Sequence, residues 1–211
     1  MYLFLVFRLY YKKQANKAKY MLTQNKYHIS EKVLEDEKII IELAKKDMRN
    51  FAPLYDKYYE QIFRYCYQRL NSKESAFDVT SQVFLKAMTK LKDYEYRGLP
   101  FTSWLYRIAK SELNNVFSEN KNSRTINIKV EHIKDLFEEV KEVDDSEELR
   151  TTLVTALESL AENDLLIVEM RFFEKRSFKE IGEILDITEN NAKVKLYRVL
   201  DKLKTKFLIK Q

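Results

Sequence analysis

Cationic side chains recur at helical spacing near the C-terminal end of the 211-residue chain. Lys195, Arg198 and Lys202 lie three to four residues apart, which places them on one side of a helix. Lysine and arginine side chains arranged in this way can contact DNA phosphates and the edges of guanine bases. Apolar residues recur on a different side of the same helix and predict the face that packs. They are Leu196, Val199, Leu203 and Phe207.

A second short helix is predicted immediately before this one. Ser177 and Glu180 form the capping pattern in which a hydroxyl and a carboxylate three residues apart satisfy free amides at a helix start, and Thr188 can cap the following helix. The tight turn between the two helices begins at Asp186. The pattern predicts a helix-turn-helix, and the alternative is an ordinary amphipathic terminal helix whose lysines are only solvated.

A polar ridge is predicted on a helix in the first half of the chain. Asp78, Gln82 and Lys86 lie one helical turn apart, and an apolar stripe runs beside them. A ridge of this kind can dock a partner, although the spacing alone favours a solvated helix face.

Aromatic and cationic side chains interleave between residues 94 and 110. Gly98 and Pro100 end one helix, and a new helix is predicted to start at Phe101. Flat rings and cations together suit unpaired nucleic acid, with each base stack worth ~1–3 kcal/mol. Four residues fit either this role or packing in the core. They are Tyr96, Arg97, Trp104 and Arg107.

The composition favours an all-α fold. The chain has only 2 Gly and 2 Pro, too few for the turns that sheets require, and 45% of its residues are hydrophobic. A net charge of +5 permits a polyanionic partner without identifying one. Cys66 is the single cysteine, which excludes an internal disulfide and a cysteine metal site. We expect a cytoplasmic protein without a cofactor.

The hydrophobic pattern divides the chain into four segments. Residues 31–117 predict a compact helical domain, residues 118–148 an acidic linker, and residues 149–211 a smaller helical domain with the helix-turn-helix. Residues 1–30 are predicted to be a disordered extension or to follow a start assigned too far upstream, with Met21 as the candidate start. Their apolar part is shorter than the ~20 residues that span a bilayer, and a weak membrane-surface anchor is the alternative.

Three blocks in this order resemble the extracytoplasmic-function (ECF) subfamily of the bacterial sigma-70 factors. The first reads DVTSQVFLKA from Asp78, the second reads YRGLPFTSWLYRIA from Tyr96, and the third is the helix-turn-helix. The resemblance covers roughly residues 47–206, and it includes the family's regions 2 and 4 with no third domain between them. It implies a sigma factor that binds core RNA polymerase and directs promoter recognition, DNA melting and transcription initiation.

The resemblance also assigns a partner to each candidate surface. The surface for the clamp helices of the polymerase's largest subunit comprises Asp78, Gln82, Phe84 and Lys86. The surface for melted −10 DNA comprises Tyr96, Arg97, Trp104, Arg107 and Ser111, where the family commonly has Asn in place of Ser111. The surface for the −35 element in the major groove comprises Asn191, Lys193, Lys195, Tyr197, Arg198 and Lys202. The polymerase flap is a further implied partner, and an anti-sigma factor is left open.

Two other classes of function are alternatives to a sigma factor. A two-domain transcriptional regulator with an N-terminal sensing or dimerisation domain would share the helix-turn-helix but would not need the first two blocks. An enzyme has little support, because there is no glycine-rich phosphate loop and because His28 and His132 lie outside any recognisable ligand spacing. We therefore expect a protein that is not an enzyme.

Overall fold

The structure is a computed structural model that describes residues 30–119, 136 and 147–208. Within these ranges it contains α-helices and no strands, which confirms the all-α prediction. Residues 1–29 of the predicted extension and residues 120–135 and 137–146 of the predicted linker lie outside the described residues. The eight described α-helices are α1 (Glu31–Lys46), α2 (Ala52–Leu70), α3 (Lys73–Lys90), α4 (Phe101–Glu119), α5 (Glu147–Glu158), α6 (Glu162–Val168), α7 (Phe178–Leu185) and α8 (Glu189–Leu208).

Helices α1 to α4 form the first half of the molecule. Pro53 lies in the first turn of α2, where its missing amide donor costs nothing. Asn71 ends α2 in the left-handed conformation (φ 50°), and the Ser72 hydroxyl then caps α3 by accepting a hydrogen bond from the Ser75 amide at 3.2 Å. This short connection makes α2 and α3 an antiparallel pair.

Helices α5 to α8 form the second half, and a π-helical segment (Glu169–Phe173) continues α6. The predicted capping box is present at the start of α7, where the Ser177 hydroxyl accepts from the Glu180 amide at 3.2 Å. The Glu180 carboxylate in turn accepts from the Ser177 amide at 2.9 Å. These bonds confirm the capping pattern that the sequence indicates.

The turn between α7 and α8 is as tight as the helix-turn-helix pattern predicts. Asp186 has a left-handed backbone (φ 58°), and Thr188 caps α8 by accepting from the Asn191 amide at 3.2 Å. A methyl group on Gly182 would lie 2.7 Å from the Ile187 carbonyl oxygen. Only glycine therefore lets the chain fold back this closely on α7.

The two halves share one continuous set of buried apolar side chains, and α4 packs against α7. Leu136, the residue described within the predicted linker, is fully buried in this set. The linker therefore contributes to the core at this position. The domain boundaries proposed from sequence remain predictions. Among the described helices, none has the length and apolar character needed to cross a membrane.

Candidate functional site

The polar ridge lies on α3, and its members differ in their surroundings. Asp78 and Gln82 are exposed, as a docking surface requires. Lys86 is partly covered, because its ammonium group donates to the Glu112 carboxylate of α4 at 2.6 Å. Phe84 is buried and packs on the ring of Tyr55, with 4.7 Å between ring centroids. Its side chain can hold α3 in place but does not face a partner.

Sequence reasoning missed two exposed apolar side chains beside this ridge. Phe77 and Leu85 are more than half exposed on α3, and they lie two helical turns apart on one side of it. A ladder of aromatic rings also follows α2, from Tyr55 through Tyr59 and Phe63 to Tyr67. The four-residue spacing of these aromatics was a readable signal for a continuous aromatic stripe. The α2–α3 pair therefore presents a mixed polar and apolar surface.

The aromatic side chains of the candidate −10 DNA surface, Tyr96 and Trp104, are only partly exposed. Trp104 packs against the rings of Tyr94 and Phe101, at centroid distances of 4.7 and 5.3 Å. The Tyr96 hydroxyl donates to the Leu34 carbonyl oxygen at 3.3 Å. Ser111 is exposed on α4. Tyr96 and Trp104 are therefore each partly exposed while they also pack against the core.

The cationic members of this surface are both occupied by one carboxylate. Arg97 and Arg107 donate to Glu183 of α7, with closest N–O distances of 3.2 and 3.1 Å. The contact joins residues that lie 86 and 76 positions apart in the chain. It brings the helix-turn-helix directly against the aromatic and cationic segment, which the sequence did not predict.

The third candidate surface lies on α8. Asn191, Tyr197 and Arg198 are exposed. The Lys193 ammonium group pairs with Glu189 one turn earlier at 2.8 Å, a helix-surface contact of modest strength.

Two lysines of this surface share a carboxylate from α6. Lys195 and Lys202 lie 3.2 and 2.7 Å from Asp164. Burial would raise the pKa of the Asp164 carboxyl, but the hydrogen bonds and charges of Lys202 and Lys195 outweigh burial and hold that pKa below its usual value. Both lysines thus fasten α8 to α6, and Arg198 is exposed.

Two family models match the chain. The model described as Sigma-70 region 2 matches residues 54–122, and the model described as Sigma-70, region 4 matches residues 156–205. The first match begins in α2 and contains α3 and α4, and the second ends in α8. The chain belongs to the sigma-70 family.

Curated relatives identify the subfamily as ECF. The ECF RNA polymerase sigma factor BldN of Streptomyces coelicolor is 31% identical over 154 residues, which are 71% of this chain and 57% of BldN. The ECF RNA polymerase sigma factor SigW of Bacillus subtilis is 25% identical over 170 residues, 76% of this chain and 90% of SigW. The chain thus spans little more than half of BldN and nine-tenths of SigW.

A solved structure supports the fold. It is described as CnrH in complex with the cytosolic domain of CnrY, and it matches 83% of this chain and 99% of that chain with a TM-score of 0.56 and 16% identity. At this identity the match concerns the fold only.

Family membership confirms the function class that the sequence resemblance predicted. Sigma-70 factors are initiation factors that bind core RNA polymerase and promoter DNA, and they catalyse no reaction themselves. The prediction that the sigma factor is not an enzyme rests on this membership. The region 2 match argues against the alternative of a regulator with an N-terminal sensing domain. Such a regulator would not need the two sequence blocks that begin at Asp78 and Tyr96.

Proposed function

We propose that this sigma factor docks on core RNA polymerase through α3, captures melted −10 DNA at the start of α4 and reads the −35 element with α8. The main observation in support of this proposal is that each of the two matched regions contains an exposed candidate surface on a well-packed helix. Rigid helices are better suited than loops to hold such side chains in a fixed geometry.

The docking surface comprises Asp78 and Gln82 together with the exposed Phe77 and Leu85. Apolar side chains beside polar ones are typical of protein interfaces, in which apolar contact supplies affinity and polar groups fix the register. The clamp helices of the largest polymerase subunit are the proposed partner here. The polymerase flap is the proposed partner of the second half.

The two proposed DNA-binding surfaces are those where cationic and aromatic side chains are exposed. Arg97 and Arg107 provide phosphate contacts beside Trp104, whose partly exposed ring can stack on an unpaired base. On α8, the exposed Arg198 is the proposed reader of base edges in the major groove, because the second helix of a helix-turn-helix enters that groove. Lys193 and Asn191 lie nearer the start of that helix.

The remaining proposals concern organisation and location. We retain residues 31–117 and 149–211 as the two functional domains, joined by the segment at 118–148. Work with the polymerase implies a cytoplasmic location. An anti-sigma factor is a proposed additional partner. The support for this proposal is that CnrH, whose fold is similar, forms a complex with the cytosolic domain of CnrY.

Reconstituted transcription tests this function. Purified sigma factor is combined with core polymerase and a random pool of promoter fragments, and transcribed templates are sequenced. We expect enrichment of templates that share two short elements at a fixed spacing. Absence of binding to core polymerase would contradict the proposal and favour a helix-turn-helix regulator.

A further inference from the structure

One buried carboxylate of α1 reaches the start of the helix that carries the −10 surface. Glu37 is 2% exposed, and its Oε2 atom accepts from the Phe101 amide of α4 at 2.6 Å. Its Oε1 atom accepts from the Tyr58 hydroxyl and from the Lys57 ammonium group of α2, the latter at 3.0 Å. The bond to Phe101 joins residues that lie 64 positions apart in the chain. Glu37 therefore ties α1, α2 and α4 together at the first residue of α4.

The Phe101 amide needs an acceptor from outside its own helix. The first amides of an α-helix have no partner within it, and an unpaired amide at a buried position costs free energy. Phe101 is fully buried, so water cannot reach this amide. The negative charge of Glu37 is also favourable at this end of the helix dipole. Glu37 thus supplies to α4 the kind of cap that α7 takes from Ser177, the residue immediately before it.

The same face of α1 holds the other end of the −10 segment. The Tyr96 hydroxyl donates to the Leu34 carbonyl oxygen at 3.3 Å, and the Lys38 ammonium group lies 5.8 Å from the centre of the Tyr96 ring. That distance is within the range of a cation–π contact. Leu34, Glu37 and Lys38 are three and four residues apart, so they lie on one face of α1. One helix therefore contacts the segment at Tyr96 and again at Phe101.

The Phe101 ring connects this contact to Trp104, the ring proposed to stack on an unpaired base. The centroids of Phe101 and Trp104 lie 5.3 Å apart, and the two residues are one helical turn apart on α4. Phe101 also lies 5.3 Å from the ring of Tyr94 and 6.4 Å from the ring of Tyr58. Aromatic pairs at these distances attract one another. A shift of the first residue of α4 would therefore move Trp104 as well.

We propose that Glu37 is a positioning residue for −10 recognition, and that α1 holds the segment from Tyr96 to Trp104 in the geometry that captures unpaired bases. Glu37 acts through the Phe101 amide and does not itself contact DNA, because it is buried. Helix α1 lies outside the region 2 match, which begins at residue 54. This inference rests on the proposed function of the −10 surface and adds the element that positions it.

Four variants separate positioning from a purely structural role. Glu37→Ala removes the acceptor, whereas the conservative Glu37→Gln keeps an oxygen that can accept from the Phe101 amide. Tyr96→Phe removes the hydrogen bond to α1 and keeps the ring. Leu70→Ala is the control for lost stability, because this buried side chain lies about three helical turns, or about 18 Å, after Tyr58 on α2. Circular dichroism and chemical denaturation show which variants fold and how stable they are.

Two measurements are made with the full chain. Trp104 is the only tryptophan in the sequence, so the tryptophan emission of the free protein reports the surroundings of that ring. The second measurement uses the reconstituted polymerase and a promoter recovered from the random pool. The affinity for this promoter is divided by the affinity for the same promoter with a scrambled −10 element, and separately with a scrambled −35 element. A variant that is only less stable has a smaller active fraction but unchanged ratios.

We expect Glu37→Ala to shift Trp104 emission to longer wavelength, because the ring becomes more exposed to water. The same variant should lower the −10 ratio by about fivefold or more, the lower range for loss of one base stack, and leave the −35 ratio unchanged. Glu37→Gln should recover most of the −10 ratio. Tyr96→Phe should lower it about twofold, as expected for one partly exposed hydrogen bond. Leu70→Ala should change neither the ratios nor the emission.

A −10 ratio equal to that of the wild type in every folded variant would overturn the inference, so the test does not depend on the folding of Glu37→Ala. An equal fall of both ratios with Glu37→Ala would assign the residue to fold stability alone and also overturn it. Unchanged Trp104 emission in that variant would do the same, because Glu37 would then not act through Phe101. A wild-type polymerase complex that does not distinguish the scrambled −10 element contradicts the proposed function instead, and Trp104 emission still tests the contact at Phe101.

Discussion

The cationic side chains of α8 differ in what they already contact within the protein. Lys195 and Lys202 are held by Asp164, at 3.2 and 2.7 Å, and so act partly as structural links to α6. Arg198 is exposed on the same helix. A planar guanidinium group that can make paired hydrogen bonds is better suited to read a guanine edge than a shared ammonium group.

We therefore expect Arg198→Ala to relax preference within the −35 element by ~1–3 kcal/mol at one base pair. Lys202→Ala should weaken binding to all −35 variants alike and lower the salt slope by about one unit. Salt titrations on matched and mismatched promoters, with the reconstituted polymerase, distinguish the two outcomes. A uniform loss with Arg198→Ala would make it a backbone anchor, and sequence preference would then have to come from Lys193, Lys195 or DNA shape.

At the scale of elements, the helix-turn-helix depends on a close approach between α7 and the turn after it. Gly182 permits that approach, and Asp186 supplies the left-handed residue that ends α7. Gly98 is a suitable comparison. It has φ +66°, but a methyl group added there would meet no atom within 4 Å.

We expect Gly182→Ala to destabilise the protein by ~1–3 kcal/mol, because the added methyl group meets backbone that cannot move without opening the turn. Gly98→Ala should cost about 1 kcal/mol, since only backbone strain opposes it. Chemical denaturation followed by circular dichroism gives both values. An equal cost for the two variants would show that the turn relaxes around the methyl group.

The docking ridge on α3 makes a second prediction at this scale. Asp78→Arg and Gln82→Arg should each weaken binding to core polymerase while helical content stays intact, because both side chains are exposed and lie outside the buried core. Asp36→Arg, an exposed change on α1, is the control. Pull-down and circular dichroism provide the two readouts. Full binding by a folded Asp78→Arg, Gln82→Arg double variant would remove the docking assignment.

At the scale of the whole molecule, one buried carboxylate makes the contact between the halves sensitive to pH. Burial raises the pKa of Glu169 to about 7, although Arg69 opposes the shift. The other charged or titratable groups that face this pair are Tyr65 from α2, Glu162 from α6 and Glu174. Glu162 shares the Arg69 cation with Glu169, and the charge of the Glu174 carboxylate adds to the upward shift of the Glu169 pKa.

Because the pKa of Glu169 is higher in the folded protein than its ordinary value of 4.5, protonated Glu169 stabilises the fold at low pH. That stabilisation is lost as the pH rises through about 7. We expect the free energy of unfolding to fall by on the order of 1 kcal/mol more in the wild type than in Glu169→Gln between pH 5 and pH 8. Denaturation across this pH range measures the difference. Parallel curves for both proteins would assign the pH response to other groups.

Local patterns in the sequence determined the helical class, the capping box, the helix-turn-helix and the order of the family blocks. Each of these depends on residues within a few positions of one another, such as Ser177 and Glu180, so their spacing carries the information directly. The sequence also placed Asp78, Gln82 and Arg198 on helix faces that the structure shows as exposed.

Only the tertiary structure decided which candidates are free and which are engaged. The burial of Phe84 depends on packing against α2, and the pairing of Lys202 with Asp164 joins residues 38 positions apart. The contact of Arg97 with Glu183 spans 86 positions. Periodicity along one helix reports which residues share a face, but not which other helix covers that face, because packing is set by the fold as a whole.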